Sequence, residues 1–247
     1  MASQPIYQFY AELDDYSPKI WRRFQVMNNI SMARLGYIVM TMFEMQASHL
    51  FCFEVPLGQN YYRHMKDRLS ESELNDLISF RNKNEVKRFE VQNEMTAAFE
   101  NEDALNAATE KLPHIIAWVG DELTLQYDYG DGWVVKLVLE QIIEDKELPG
   151  KELPRVLDGD GYGIIEDCGG TGGLEELTRA FKKRAGKEYE HYRQWLGVDD
   201  MDLDAFNLDD MNFRLKKVPR IYADAFEHGL EPTKQSMDLL TRQYLNK

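Results

Sequence analysis

The chain has 247 residues, 43% of them hydrophobic and 12% aromatic, and 43 acidic against 29 basic side chains give a formal net charge of -14. That apolar content can fill a core and excludes global disorder. The charge makes bare DNA or RNA a poor partner, because phosphate binding needs a basic surface.

From the N-terminus, no basic-then-apolar leader pattern is present, since Gln4 and Glu12 interrupt it. Ile6 to Leu13 alternates and is aromatic, which predicts a strand. Asp14 to Pro18 supplies a turn, and Lys19 to Val26 returns as a second strand. Ser31 is a good N-cap for a helix whose Met32, Leu35, Ile38, Val39, Met42 and Phe43 form one apolar face. Arg34 breaks this longest apolar stretch, which is too short to span a membrane. His49 to Val55 reads as a third strand.

Residues 56–112 are highly charged and irregular, with helices predicted over Glu71 to Phe80 and Glu102 to Leu112, the second ended by Pro113. Glu122 to Tyr129 and Trp133 to Gln141 form a hairpin around Gly130-Asp131-Gly132, a turn in which glycine accepts positive φ. Pro149 and Pro154 bracket a connector. The glycines at 159, 161, 163, 169, 170, 172 and 173 predict an irregular loop. Helices follow over Leu174 to Arg184, Lys187 to Leu196 and Asp210 to Lys217, and one or two peripheral helices end the chain. Strands and helices mix without βαβ alternation. The expected class is α+β, with a mixed, mainly antiparallel sheet, helices packed on it and peripheral C-terminal helices.

Cys52 and Cys168 are the only cysteines. They support neither a disulfide framework nor a zinc ribbon and fit a reducing compartment. The expectation is a soluble, cytoplasmic chain without a membrane segment.

Four motifs occur in order: Ile20-Trp21-Arg22-Arg23-Phe24, Ser48-His49-Leu50-Phe51-Cys52-Phe53, Tyr127-Asp128-Tyr129-Gly130-Asp131-Gly132-Trp133 and Ile165-Glu166-Asp167-Cys168-Gly169-Gly170. With Tyr192-Arg193-Gln194-Trp195-Leu196-Gly197, they resemble the Ri-plasmid ORF-3-like family, often labelled transposon-passenger or TnpR-type proteins. The resemblance runs from Tyr7 to Leu215. It implies a domain over 1–217, with a charged insertion at about 56–112 and a peripheral helical extension at 218–247. It implies no defined activity and no cofactor. Relatives often carry further cysteines and prolines at positions matching Val156, Gly163, Ile164 and Ile165, so any metal or redox role of those cysteines is lost here. A TnpR label implies a resolvase, but neither an activated serine among arginines nor a basic DNA-reading helix pair is present.

The motif residues that remain as site candidates are Trp21, Arg22, Arg23, His49, Asp128, Asp131, Trp133, Glu166 and Asp167. In one reading Asp128, Asp131, Glu166 and Asp167 hold a divalent cation, while His49 or an arginine meets an anionic substrate. In the other the same residues are structural. Asp131 then makes the turn, Trp21 and Trp133 pack, and one arginine pairs with Asp128 or Glu166 to organise the glycine loop. Arg22 and Arg23 face opposite sides of a strand, so at most one serves a given pocket.

Gly169 to Gly173 lacks the lysine and serine of a P-loop; Thr171 reads as a cap, with Glu175 and Glu176 in the first turn. Asp200, Asp202 and Asp204 imitate a calcium loop, but Ala205 and Met211 occupy the positions that need glycine and glutamate. Lys182 to Arg184 reads as a helix end. The leading expectation is a mobile-element-associated accessory protein that binds a protein partner without catalysis. The alternatives are a metal-dependent hydrolase or nuclease, and an acidic nucleic-acid mimic using Asp199 to Asp210.

Overall fold

The computed structural model describes residues 4–46, 48–80, 82–92, 103–145 and 147–242, with side chains at 77–80 excluded. One eight-stranded sheet has the order β5-β4-β3-β6-β7-β1-β2-β8. The strands are β1 (Ile6–Leu13), β2 (Trp21–Met27), β3 (Phe51–Val55), β4 (Lys87–Glu90), β5 (Leu105–Asn106), β6 (Glu122–Tyr127), β7 (Trp133–Ile143) and β8 (Arg155–Asp160). Every neighbouring pair is antiparallel except β4 with β5. The helices are α1 (Met32–Met42), α2 (Leu57–Met65), α3 (Glu71–Phe80), α4 (Leu112–Ile115), α5 (Gly170–Lys183), α6 (Lys187–Leu196), α7 (Leu208–Leu215), α8 (Val218–His228) and α9 (Lys234–Leu240). The fold is α+β.

Alternation decides which sheet face is covered. In β1, Tyr7, Phe9, Ala11 and Leu13 are buried, and Phe24 and Val26 continue that face on β2. Tyr10, Trp21 and Arg23 lie on the opposite face. There Trp21 stacks on Tyr10 at 5.6 Å and Arg23 grips Glu140 through two hydrogen bonds of 2.6 and 2.8 Å. Ser31 caps α1 by accepting from the Arg34 amide, as its sequence predicts. The helix is more enclosed than a single apolar face implies: every residue from Met32 to Met42 except Arg34 is buried. It lies between the sheet and α7 and α8. At the rim of this helical layer, α8 still buries Val218 and Tyr222 completely.

Three expectations are corrected. The helix predicted at 102–112 (residue 102 is outside the described residues) is replaced by β5, a turn and α4. The Asn106 side chain accepts from the Ala108 amide, and the Ala107 amide donates to Glu90 O, so local side-chain bonding and sheet pairing displace the helix. Pro113 sits in the first turn of α4 rather than ending a helix. Helix α5 starts at Gly170, so Thr171 lies inside it and Glu175 and Glu176 fall beyond its first turn. Its cap is Gly169, at φ 91°, without a side-chain cap bond. Strand β8 also extends the sheet through what reads as connector and glycine loop: Gly159 pairs with Arg22, and a side chain there would strike Trp21 O at 2.8 Å.

Arg22 is fully buried. Its guanidinium donates to the carbonyls of Trp21, Met42, Asp160, Gly161 and Tyr162 at 2.6 to 3.1 Å and stacks on Phe206 at 4.1 Å. Replacing Arg22 with Ala strands those acceptors and should cost about 3 kcal/mol or more. Arg23→Ala, on the half-exposed face, should cost under about 1 kcal/mol. Chemical denaturation of the two variants checks the contrast.

The pair with Arg23 also holds the Glu140 carboxyl below its ordinary range, against the opposing effect of burial. A depressed carboxylate stabilises the fold above its unfolded pKa and loses that contribution as pH falls through the folded one. Glu140→Gln should therefore be less stable than wild type at neutral pH, with the gap closing as the solution is acidified below the ordinary carboxylate range.

Candidate metal centre

The centre forms at one end of the sheet, where three chain segments meet. Pairing of β3 with β6 sets Phe51 opposite Tyr127, and the Asp128 amide donates to Leu50 O at 3.1 Å, which brings His49 beside Asp128. Asp128 opens the hairpin turn at φ 51°, a conformation aspartate tolerates better than most residues. Its Oδ1 accepts from the Gly130 amide at 3.0 Å, leaving Oδ2 directed to His49. The third segment is the loop after β8. The Ile164 amide donates to Phe43 O at 2.9 Å and so anchors this loop to the end of α1. Gly170 then packs against Asp131 O, where a side chain would come within 2.5 Å. Between these two anchors lie Glu166 and Asp167.

His49 Nε2 faces oxygens of Asp167, Asp128 and Glu166 at 3.3, 3.5 and 3.7 Å. It makes a proper hydrogen bond with none of them. Donor atoms of His49, Asp128 and Asp167 all lie within 4.8 Å of one another. Glu166 uses one oxygen fully: Oε1 accepts from the Gln46 amide at 2.6 Å and the Tyr127 hydroxyl at 2.7 Å. Its other oxygen, Oε2, is buried without a hydrogen-bond partner, in a side chain only 9% exposed. Burial pushes the Glu166 carboxyl above its ordinary range, against the bonds from Gln46 and Tyr127 and the nearby His49. Among the described residues, no lysine or arginine pairs with Asp128, Glu166 or Asp167.

These spacings suit a cation. Ligand atoms about 2.1 Å from a four-coordinate ion lie about 3.4 Å from one another, and about 3.0 Å apart around an octahedral one. A mixed imidazole and carboxylate donor set favours first-row divalent metals over calcium. Asp167 is 69% exposed, so the cluster reaches solvent on its side, while His49 Nε2 is itself buried.

The nine sequence candidates divide. His49, Asp128, Glu166 and Asp167 come together. Asp131 stands one step back, its Oδ2 accepting from the Gly169 amide at 3.1 Å and fastening the start of α5. Trp133 is fully buried opposite Tyr127, where it packs. Trp21 and Arg23 belong to the outer sheet face, and Arg22 organises the glycine loop through backbone carbonyls instead of a carboxylate. Cys168 is free, and burial followed by the charge of Asp131 pushes its thiol up to about 12, which disfavours the nucleophilic thiolate.

Sequence reasoning missed Tyr127, although it stands inside a motif, and Gln46, which acts through its amide and so leaves no mark in side-chain identity. The larger cavities are lined by other residues. One of 550 Å³ is bordered by Lys187, Glu190, His191 and Gln194, and one of 360 Å³ runs along Glu176, Arg179 and Lys183.

In architecture the chain is similar to the crystal structure of the protein of unknown function MM3350 from Methanosarcina mazei Go1. The TM-score is 0.64 at 23% identity, covering 84% of this chain and 97% of that one. Among curated proteins none matches significantly. The family model described as plasmid pRiA4b ORF-3-like protein matches residues 5–210, which include every motif residue at the centre, and the chain belongs to that family.

Proposed function

We propose that this protein binds a divalent first-row metal ion through His49, Asp128 and Asp167, with Glu166 beside His49 behind these ligands, and that the centre serves hydrolytic chemistry. The observation that carries the reading is the pair of unsatisfied atoms, His49 Nε2 and Glu166 Oε2, beside carboxylates that, among the described residues, no lysine or arginine neutralises. Three clustered anionic groups repel one another, and a cation at their centre reverses the sign of that interaction. The solvent-open side leaves a coordination position for water or substrate, which distinguishes a catalytic site from a closed structural one.

The geometry favours this reading over a purely interacting module. The exposed large apolar side chains are spread over several elements, with Trp118, Tyr129 and Ile142 around the β6–β7 hairpin, Trp195 on α6 and Leu230 after α8. Nucleic-acid mimicry is less well supported, because four of the six acids of 199–210 are paired with bases of the same chain. Asp199 pairs with Arg193, Asp200 with Arg184, Asp204 with Lys182 and Asp210 with Arg242.

Calorimetric titration with Mn²⁺ and with Zn²⁺ tests the reading. Wild type should take up one ion per chain. His49→Ala and Asp128→Asn should lose that uptake while keeping the fold, since asparagine also tolerates the backbone at 128. Absence of uptake by wild type would sink the proposal.

The metal-free protein offers a separate check. Asp167→Asn removes one of the clustered charges and should raise the melting temperature at low ionic strength. The gain should shrink as salt is added. A lower melting temperature would mean that Asp167 is held by His49 and not strained by its neighbours.

A further inference from the structure

We infer that Tyr222, with the Glu44–Arg242 pair, positions Glu166 in the metal centre, so that helices outside the family match set the affinity of the site. The inference rests on the metal-centre reading. Its basis is one peptide unit. The Met45 carbonyl and the Gln46 amide belong to the same planar group and point in opposite directions. The Tyr222 hydroxyl, fully buried on α8, donates to that carbonyl, and the amide donates to Glu166 Oε1 at 2.6 Å. A hydrogen bond at one end of a peptide group polarises and orients the other. Tyr222 therefore acts on Glu166 through a single rigid plate.

The residue before this peptide is held as firmly. Glu44 sits at φ 62°, a left-handed conformation uncommon for its type, directly after α1. Its carboxylate is gripped by Arg214 of α7 at 2.5 Å and by Arg242, beyond α9, at 2.6 Å. Arg242 is itself tied to Asp210 at 2.8 Å. The Met45 amide closes the segment by donating to Met40 O at 3.0 Å. Segment 43–46 thus has few ways to move, and Glu166 takes its orientation from it. Partners behind the ligands commonly change metal affinity when removed.

Mn²⁺ affinity of Tyr222→Phe, Arg242→Ala and wild type, read from the paramagnetic signal of free Mn²⁺ well below each melting temperature, tests this. Tyr222→Phe removes one hydroxyl and keeps the ring, so it should fold. It should bind Mn²⁺ about tenfold more weakly, and Arg242→Ala should weaken binding in the same direction. Phe24→Leu, a core change on β2 away from the segment, serves as the comparator for lost stability and should keep wild-type affinity. Wild-type affinity in Tyr222→Phe overturns the inference alone, as does an equal loss in Phe24→Leu. No Mn²⁺ uptake by wild type overturns the metal-centre reading, and this inference with it. Should Arg242→Ala fail to fold, Tyr222→Phe decides by itself.

Discussion

A guanidinium cut off from water must find its acceptors in the protein, and Arg22 finds five of them in the backbone. They come from β2 itself, from the last turn of α1 and from the loop that leaves β8. Burial, helped by the charge of Arg242, pulls the group below its ordinary pKa, with the charge of Glu44 as the largest opposing influence. What keeps the cation inside is that carbonyls of an irregular loop and a helix end have no ladder partner of their own and would otherwise be stranded. The charge and the orphan carbonyls solve one another's problem. Because four of the acceptors belong to segments distant in sequence from Arg22, the guanidinium is fully satisfied only when those segments have come together.

That arrangement fixes the end of α1, and the end of α1 fixes the centre. Met42 accepts from Arg22, Phe43 accepts from Ile164, Glu44 is held by two arginines, and the Met45–Gln46 peptide joins Tyr222 to Glu166. Five consecutive residues carry the load from the sheet and the C-terminal helices into the loop that bears Glu166 and Asp167. The hairpin supplies Asp128 from the other side, and the β3–β6 register supplies His49. The site is therefore built where independent parts of the fold abut, and rigid surroundings hold like charges close together that would otherwise separate.

Much of this was legible from sequence. Period-two alternation located β1, β2, β6 and β7, and Ser31 marked the start of α1. The opposition of Arg22 and Arg23 across a strand followed from pleat geometry alone. The four shared motifs marked the acids and the histidine that gather. The rest was hidden for identifiable reasons. Strand β8 contains Gly159 and Asp160 and buries only Val156 deeply, so it carries no alternation signal; its pairing is imposed by β2. The turn at 106–110 looked helical because Ala104, Leu105 and Ala108 have helical spacing, while the decisive bond is made by the Asn106 side chain. Gln46 contributes an amide, which every residue but proline has. Tyr222 lies outside the motifs, and only the folded chain reveals that its hydroxyl reaches the segment before β3.

The strongest argument that the centre is more than scaffold lies in how differently the motif residues are satisfied. Arg22 uses its donors on carbonyls, Arg23 makes a two-pronged pair with Glu140, and Asp131 accepts from the Gly169 amide just ahead of α5. Each has a structural occupation that completes its hydrogen bonding. His49 Nε2 and Glu166 Oε2 lack a hydrogen-bond partner although both are screened from water; the Trp133 indole N–H shares that lack, but the first two stand among clustered carboxylates. A buried polar atom left unpaired costs about 1–3 kcal/mol, and a second carboxylate beside it adds repulsion. A carboxylate at that position makes physical sense when the missing partner is a cation, and the 3.3 to 3.7 Å spacing around His49 leaves the room one requires.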